Sequence, residues 1–116
     1  MILFKTEHEP MILSGRKTET RRRGKKRWKV GAIHACYTKP PFSRGGAEPF
    51  AHVRILSVTP TTLLETTPKA AFREGYGSVD LFLDAFCRIN GIDDLDDQAL
   101  DDALDEPIWA IRFEVV

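Results

Sequence analysis

Ser14-Gly15-Arg16-Lys17-Thr18-Glu19-Thr20-Arg21-Arg22-Arg23-Gly24-Lys25-Lys26-Arg27-Trp28-Lys29 holds nine of the chain's seventeen Lys and Arg residues. Its first half does not read as a tail. Gly15 closes a short helix in the manner of a C-cap, and residues 17–22 alternate as a strand does, placing Lys17, Glu19 and Arg21 on one face and Thr18, Thr20 and Arg22 on the other. A bulge beside Gly15 would bring Lys17 and Thr20 together. Fixed backbone under a lysine, hydroxyls and a carboxylate allows chemistry; the same charge density allows phosphate binding.

Upstream, Met1–Lys5 reads as a first strand. Glu7-His8-Glu9-Pro10 supplies helix-start chemistry, with carboxylates at the positive helix end and a proline where a missing N–H costs nothing. Met11-Ile12-Leu13 gives the buried turn, and His8 is expected at the surface. Downstream, residues 23–29 read as a mobile basic loop, 32–38 as a core strand, and 39–46 as a loop able to close over a ligand.

The clearest strand is 50–59, with β-branched residues in period two and Pro60 after it. Thr67-Pro68 starts a short helix that Gly75-Tyr76-Gly77 breaks. Ser78 caps another, with Val79, Leu81, Phe82, Ala85, Phe86 and Ile89 at helical spacing and Asn90-Gly91 as the stop. Residues 92–106 are acidic, with a weak helix through Leu100 and Leu104. Residues 108–115 form a final strand. This pattern predicts one α+β domain over residues 1–116: a small, mainly antiparallel β-barrel with two or three helices packed over its ends.

Composition narrows the function. Net charge is zero, yet residues 1–54 carry 13 Lys/Arg against 4 Asp/Glu, and residues 55–116 carry 4 against 13. That asymmetry points to a polyanion-binding face and a solvated acidic face turned away from it. No apolar run approaches the ~20 residues of a membrane span, and Met1–Lys5 is too short for a signal peptide, so a cytoplasmic protein is expected. Cys36 and Cys87 read as free buried thiols, and no His, Cys and carboxylate spacing suggests a metal; neither metal nor cofactor is expected.

The run Ile12–Arg22, then Val30-Gly31, the strand over 51–59 and a closing Trp109-x-x-x-Phe113 strand together resemble the ASCH domain. The sharpest part is Gly15-x-Lys17-x-x-x-x-Arg22. The resemblance covers nearly the whole chain and implies a barrel related to the PUA RNA-binding fold. Many members place Glu five residues after the glycine, where this chain has Thr20. That departure resembles the amidohydrolase branch acting on N4-acetylcytidine, whose catalytic Lys, Thr and Glu fall here on Lys17, Thr20 and Glu74. Glu19 and Arg21 stand where that branch is apolar, and the basic run is longer, as the family's RNA-binding members and ribonucleases would need.

On that resemblance, Thr20 supplies a nucleophile, Lys17 accepts its proton once burial or nearby cations lower the lysine pKa, and Glu74 orients Lys17 or shuttles a proton. The same Lys17 and Glu74 also fit a plain structural ion pair. The alternative is a non-catalytic module for single-stranded or looped RNA, in which Arg16, Arg21, Arg22, Arg23, Lys25, Lys26, Arg27 and Lys29 contact phosphates and Trp28 either stacks on a base or anchors in the core. A third class is docking of the basic loop on an acidic protein. The expected ligand is therefore RNA or a modified nucleoside.

Overall fold

A computed structural model describes residues 1–40 and 47–116. The elements follow as β1 (Ile2–Leu3), α1 (His8–Leu13), β2 (Glu19–Arg22), β3 (Ile33–Tyr37), β4 (Ala51–Thr61), a 3-10 turn (Leu63–Glu65), α2 (Pro68–Arg73), α3 (Val79–Ile89), α4 (Asp97–Leu104) and β5 (Ile108–Val115). Local chemistry sets most boundaries. Thr67, Ser78 and Asp96 each accept a hydrogen bond from a first-turn amide of α2, α3 and α4, satisfying donors that helix geometry leaves unpaired. Gly15, at φ +80°, ends α1 in a conformation that favours glycine.

The five strands form one sheet in the order β1-β3-β4-β5-β2, curled into a half-barrel. Only β1 and β3 run parallel; the other pairs are antiparallel. Its two edges are therefore the strands nearest the N-terminus, β1 and β2. One core lies inside the curl, built on Ile2, Phe4, Ile12, Cys36, Val53, Ile55, Ile111 and Phe113. A second joins the helices to the sheet through Leu63, Ala71, Phe82, Phe86, Ile92, Ala103 and Ile108. The architecture is the α+β barrel type expected, with four α-helices among the described residues rather than two or three.

Two boundaries and one buried face differ from expectation. β4 runs through Pro60, which pairs with Trp109. This is tolerated because β3 pairs only Ala51 to Arg54, so no ladder partner on that side needs the missing N–H. β2 begins at Glu19 rather than residue 17, because Lys17 N–H donates back to Met11 O and Thr18 N–H to Arg73 O. On α3, Phe82, Ala85 and Phe86 are buried while Leu81 is exposed. The expected covering loop over 39–46 lies, from residue 41 on, outside the described residues.

Candidate active site

The two backbone bonds that shorten β2 also fix its first functional side chain. Held between α1 and the end of α2, Lys17 runs inward and is 2 % exposed. Its Nζ donates to Glu74 Oε1 at 2.8 Å and to the Glu74 carbonyl at 3.1 Å. Glu74 is the C-cap of α2, just before Gly75, whose φ of +101° turns the chain away.

Glu74 does not serve Lys17 alone. Arg21 Nη1 donates to Glu74 Oε2 at 3.1 Å and to Glu19 Oε2 at 2.6 Å, while Arg73 Nε reaches Glu19 Oε1 at 3.1 Å. Lys17, Glu19, Arg21 and Glu74 are all buried, so the network is a desolvated, charge-balanced cluster in which every member depends on its partners. Burial pushes the Lys17 pKa below its ordinary value, and the Glu74 charge partly restores it. Glu74, gripped by two cations, anchors both of them.

Thr20 lies on the opposite face of β2. Its Oγ1 accepts from Arg22 Nε at 3.2 Å, and the Arg22 guanidinium sits 4.8 Å over the Phe4 ring. Both faces of β2 nevertheless meet one hollow, since β2 is an edge strand. A cavity of about 340 Å³ is lined by Lys17, Thr20, Arg21, Arg22 and Glu74, together with Lys5, His8 and Tyr76. The three expected catalytic residues therefore share a wall. Among the described residues, no hydrogen bond joins Lys17 to Thr20; each is held by its own partner, Glu74 and Arg22.

Sequence reading missed His8 and Tyr76. His8, expected at the surface, is 8 % exposed: it sits four residues before Ile12 and shares its buried face on α1. That i, i+4 spacing was the available signal. Its Nε2 is 2.8 Å from the Tyr76 hydroxyl. Burial first, then the positive charges of Lys17, Arg22 and Arg88, pushes His8 down to about 3, so the imidazole is neutral near pH 7. Tyr76 is pushed up to about 12, mainly by burial. The pair offers the cavity neutral, polar groups.

The candidate nucleic-acid contacts divide. Arg23, Lys25, Lys26, Arg27 and Lys29 are exposed beyond β2, whereas Arg21 is withdrawn into the carboxylate cluster. Arg16 is also exposed, at a second cavity walled by Met11, Tyr76 and Arg88. Trp28 packs against the sheet core, its ring edge-on to His34 at 5.2 Å. Trp109 instead steadies the loop: its Nε1 donates to Gly24 O at 3.1 Å, and Lys26 lies 5.9 Å from its ring centre. The acidic segment, expected to face away, touches the loop at one end, where Arg23 meets Glu106 at 3.0 Å. Opposite charge attracts these neighbours because β2 and β5 are paired side by side.

Among the described residues, no group of three His, Cys, Asp or Glu could hold a metal ion, and no helix is long and apolar enough to cross a membrane. Cys36 is buried and its thiol pushed up to about 11, which makes it a weak nucleophile.

The sequence matches no family model and no curated protein, but the fold matches solved structures. The ASCH domain from Lactobacillus crispatus JV V101 aligns with a TM-score of 0.64 at 19 % identity, over 92 % of this chain and 69 % of that one. Protein EF3133 from Enterococcus faecalis V583 aligns with a TM-score of 0.70 at 20 % identity, over 95 % and 67 %. A mutant ZmASCH protein from Zymomonas mobilis aligns with a TM-score of 0.54 at 16 % identity, over 97 % and 66 %. The chain has the fold of ASCH-domain structures, as its Gly15-x-Lys17-x-x-x-x-Arg22 motif implied.

Proposed function

We propose that the cavity is a hydrolytic site for an amide on a modified nucleoside of the N4-acetylcytidine type. One observation carries this: Lys17, Thr20 and Glu74, drawn from two distant segments, line a single hollow of about 340 Å³. That volume falls at the small end of the ~300–1,000 Å³ of ligand pockets, large enough for a nucleoside and too small for a folded strand.

The chemistry follows from how each group is held. Arg22 donates a charged hydrogen bond to Thr20 Oγ1, which stabilises negative charge on that oxygen and leaves its own O–H to be surrendered. Thr20 Oγ attacks the acyl carbon, and its proton passes to the Lys17 amine, whose neutral form burial favours. The C–N bond then breaks as Lys17 returns the proton to the departing amino group. Water cleaves the resulting ester, releasing a carboxylic acid and restoring Thr20. Glu74, fixed by Lys17 and Arg21, holds the amine in place. Incubation with N4-acetylcytidine tests this: release of cytidine and acetate supports it, and an intact substrate opposes it.

A second reading is favoured by the exposure of Arg23, Lys25, Lys26, Arg27 and Lys29 on the segment leaving the cavity strand. Such a loop fits single-stranded RNA, holding phosphates through exposed cations. Trp28, packed on the core, is a scaffold for the loop in this reading and not a stacking platform.

A further inference from the structure

Four cationic side chains line the cavity, Lys5, Lys17, Arg21 and Arg22, against one carboxylate, Glu74. Two of the four are neutralised: Lys17 by Glu74, and Arg21 by Glu19 and Glu74. Lys5 and Arg22 differ. Among the described residues, neither lies within ion-pair distance of a carboxylate.

Arg22 is partly buried, packed over Phe4, and uses Nε on Thr20. Its terminal N–H groups remain for an acceptor from outside the protein. A guanidinium taken partly out of water with no carboxylate in contact is unfavourable, and the longer-range charge of Glu74 only partly offsets this. An anionic group on the cavity's occupant offsets that cost by pairing with Arg22.

We infer that Lys5, just past β1, and Arg22, at the end of β2, form an anion seat, and that the cavity's ligand carries a carboxylate or phosphate there. A substrate carrying such a group is then bound and turned over in preference to its neutral counterpart. Its nucleoside character rests on the hydrolytic reading above; the seat does not. Two sources share the chemistry: a phosphate on the ribose, or a carboxylate on the acyl group beside Thr20.

The test separates them. The wild-type protein is titrated with sodium phosphate and sodium acetate at constant ionic strength and followed by NMR, with sodium chloride as control. Saturable shifts at Arg22 and Lys5 are expected, lost in Arg22→Gln and weakened several-fold in Lys5→Gln, an exposed position whose change leaves the core intact. Calorimetry with cytidine and cytidine 5′-monophosphate, and turnover of N4-acetyl- against N4-succinylcytidine, identify the source by a preference of roughly tenfold for one charged member. Anion shifts without any turnover uphold the seat and remove the hydrolytic reading. The seat is overturned if phosphate and acetate act no differently from chloride, or if the neutral ligands are bound and turned over as well as the charged ones. Binding of an oligoribonucleotide that ignores both substitutions, with no response to either small anion, also overturns it.

Discussion

Lys17 Nζ lies 2.8 Å from Glu74 Oε1 across 57 residues of sequence, and both side chains are almost wholly buried. This contact ties the strand that carries the motif to the end of α2. It also supports the charge on the amine, which burial opposes more strongly, so the Lys17 pKa stays below its ordinary value.

Replacing Lys17 with Met leaves Glu74 to Arg21 alone. A buried ion pair broken on one side costs about 3–5 kcal/mol, and the remaining Arg21 places this case at the lower end. Urea denaturation of Lys17→Met is expected to show a loss of about 3 kcal/mol. Glu74→Gln, which strands Lys17 and leaves Arg21 to Glu19 alone, is expected to lose at least as much. A loss under about 0.5 kcal/mol in both, the usual size for a surface change, would mean that the cluster contributes nothing.

Acid sensitivity is written into His8. Its pKa is about 3 in the folded protein against an ordinary 6.5, so between these values the unfolded chain binds the proton and the folded one does not. Stability therefore falls as pH drops from about 6.5 to 3 and is unaffected by this group above that window. His8→Phe removes this slope, at the cost of the Tyr76 hydrogen bond. Denaturation curves at pH 7 and pH 4.5 for both proteins check this; equal slopes contradict it.

Gly75 has φ +101°, and a Cβ there would lie 2.8 Å from Met11 Sδ and 3.6 Å from Lys17 Cβ. Gly75→Ala is expected to destabilise by more than about 1 kcal/mol through backbone strain. It also shifts the adjoining Glu74 and Tyr76, so activity falls with it. Thermal unfolding and turnover measured together show whether both effects appear.

The loop has its own readout. Changing Arg23, Lys25, Lys26 and Arg27 together to Gln removes exposed charges, and every phosphate that is no longer neutralised lowers the salt slope of RNA binding by roughly 0.7 for single strands. Fluorescence anisotropy with a short RNA across salt concentrations measures it. An unchanged affinity and slope removes the RNA reading and leaves the cavity untouched.

The legible parts of this fold were those decided locally. Thr67-Pro68, Ser78 and Gly15 announce helix ends through their own hydrogen bonds and φ values, and the alternation of 108–115 announces β5. The family resemblance singled out Lys17, Thr20 and Glu74, three residues that line one cavity. What escaped depends on partners far along the chain. The start of β2 is set by Met11 and Arg73, the neutrality of His8 by burial and then by Lys17, Arg22 and Arg88, and the withdrawal of Arg21 by Glu19 and Glu74. The approach of Glu106 to Arg23 follows from the pairing of β2 with β5, which strand patterns alone do not reveal.

The most direct measurement is product release from N4-acetylcytidine by the wild-type protein, Thr20→Ala and Lys17→Ala, each first shown to be folded by circular dichroism. Hydrolysis in this cavity predicts cytidine and acetate from the wild type and a fall of about 10²–10⁴-fold in each variant, the size expected when a proton-transfer group is removed. Release at equal rates by all three proteins, or by none, would contradict it.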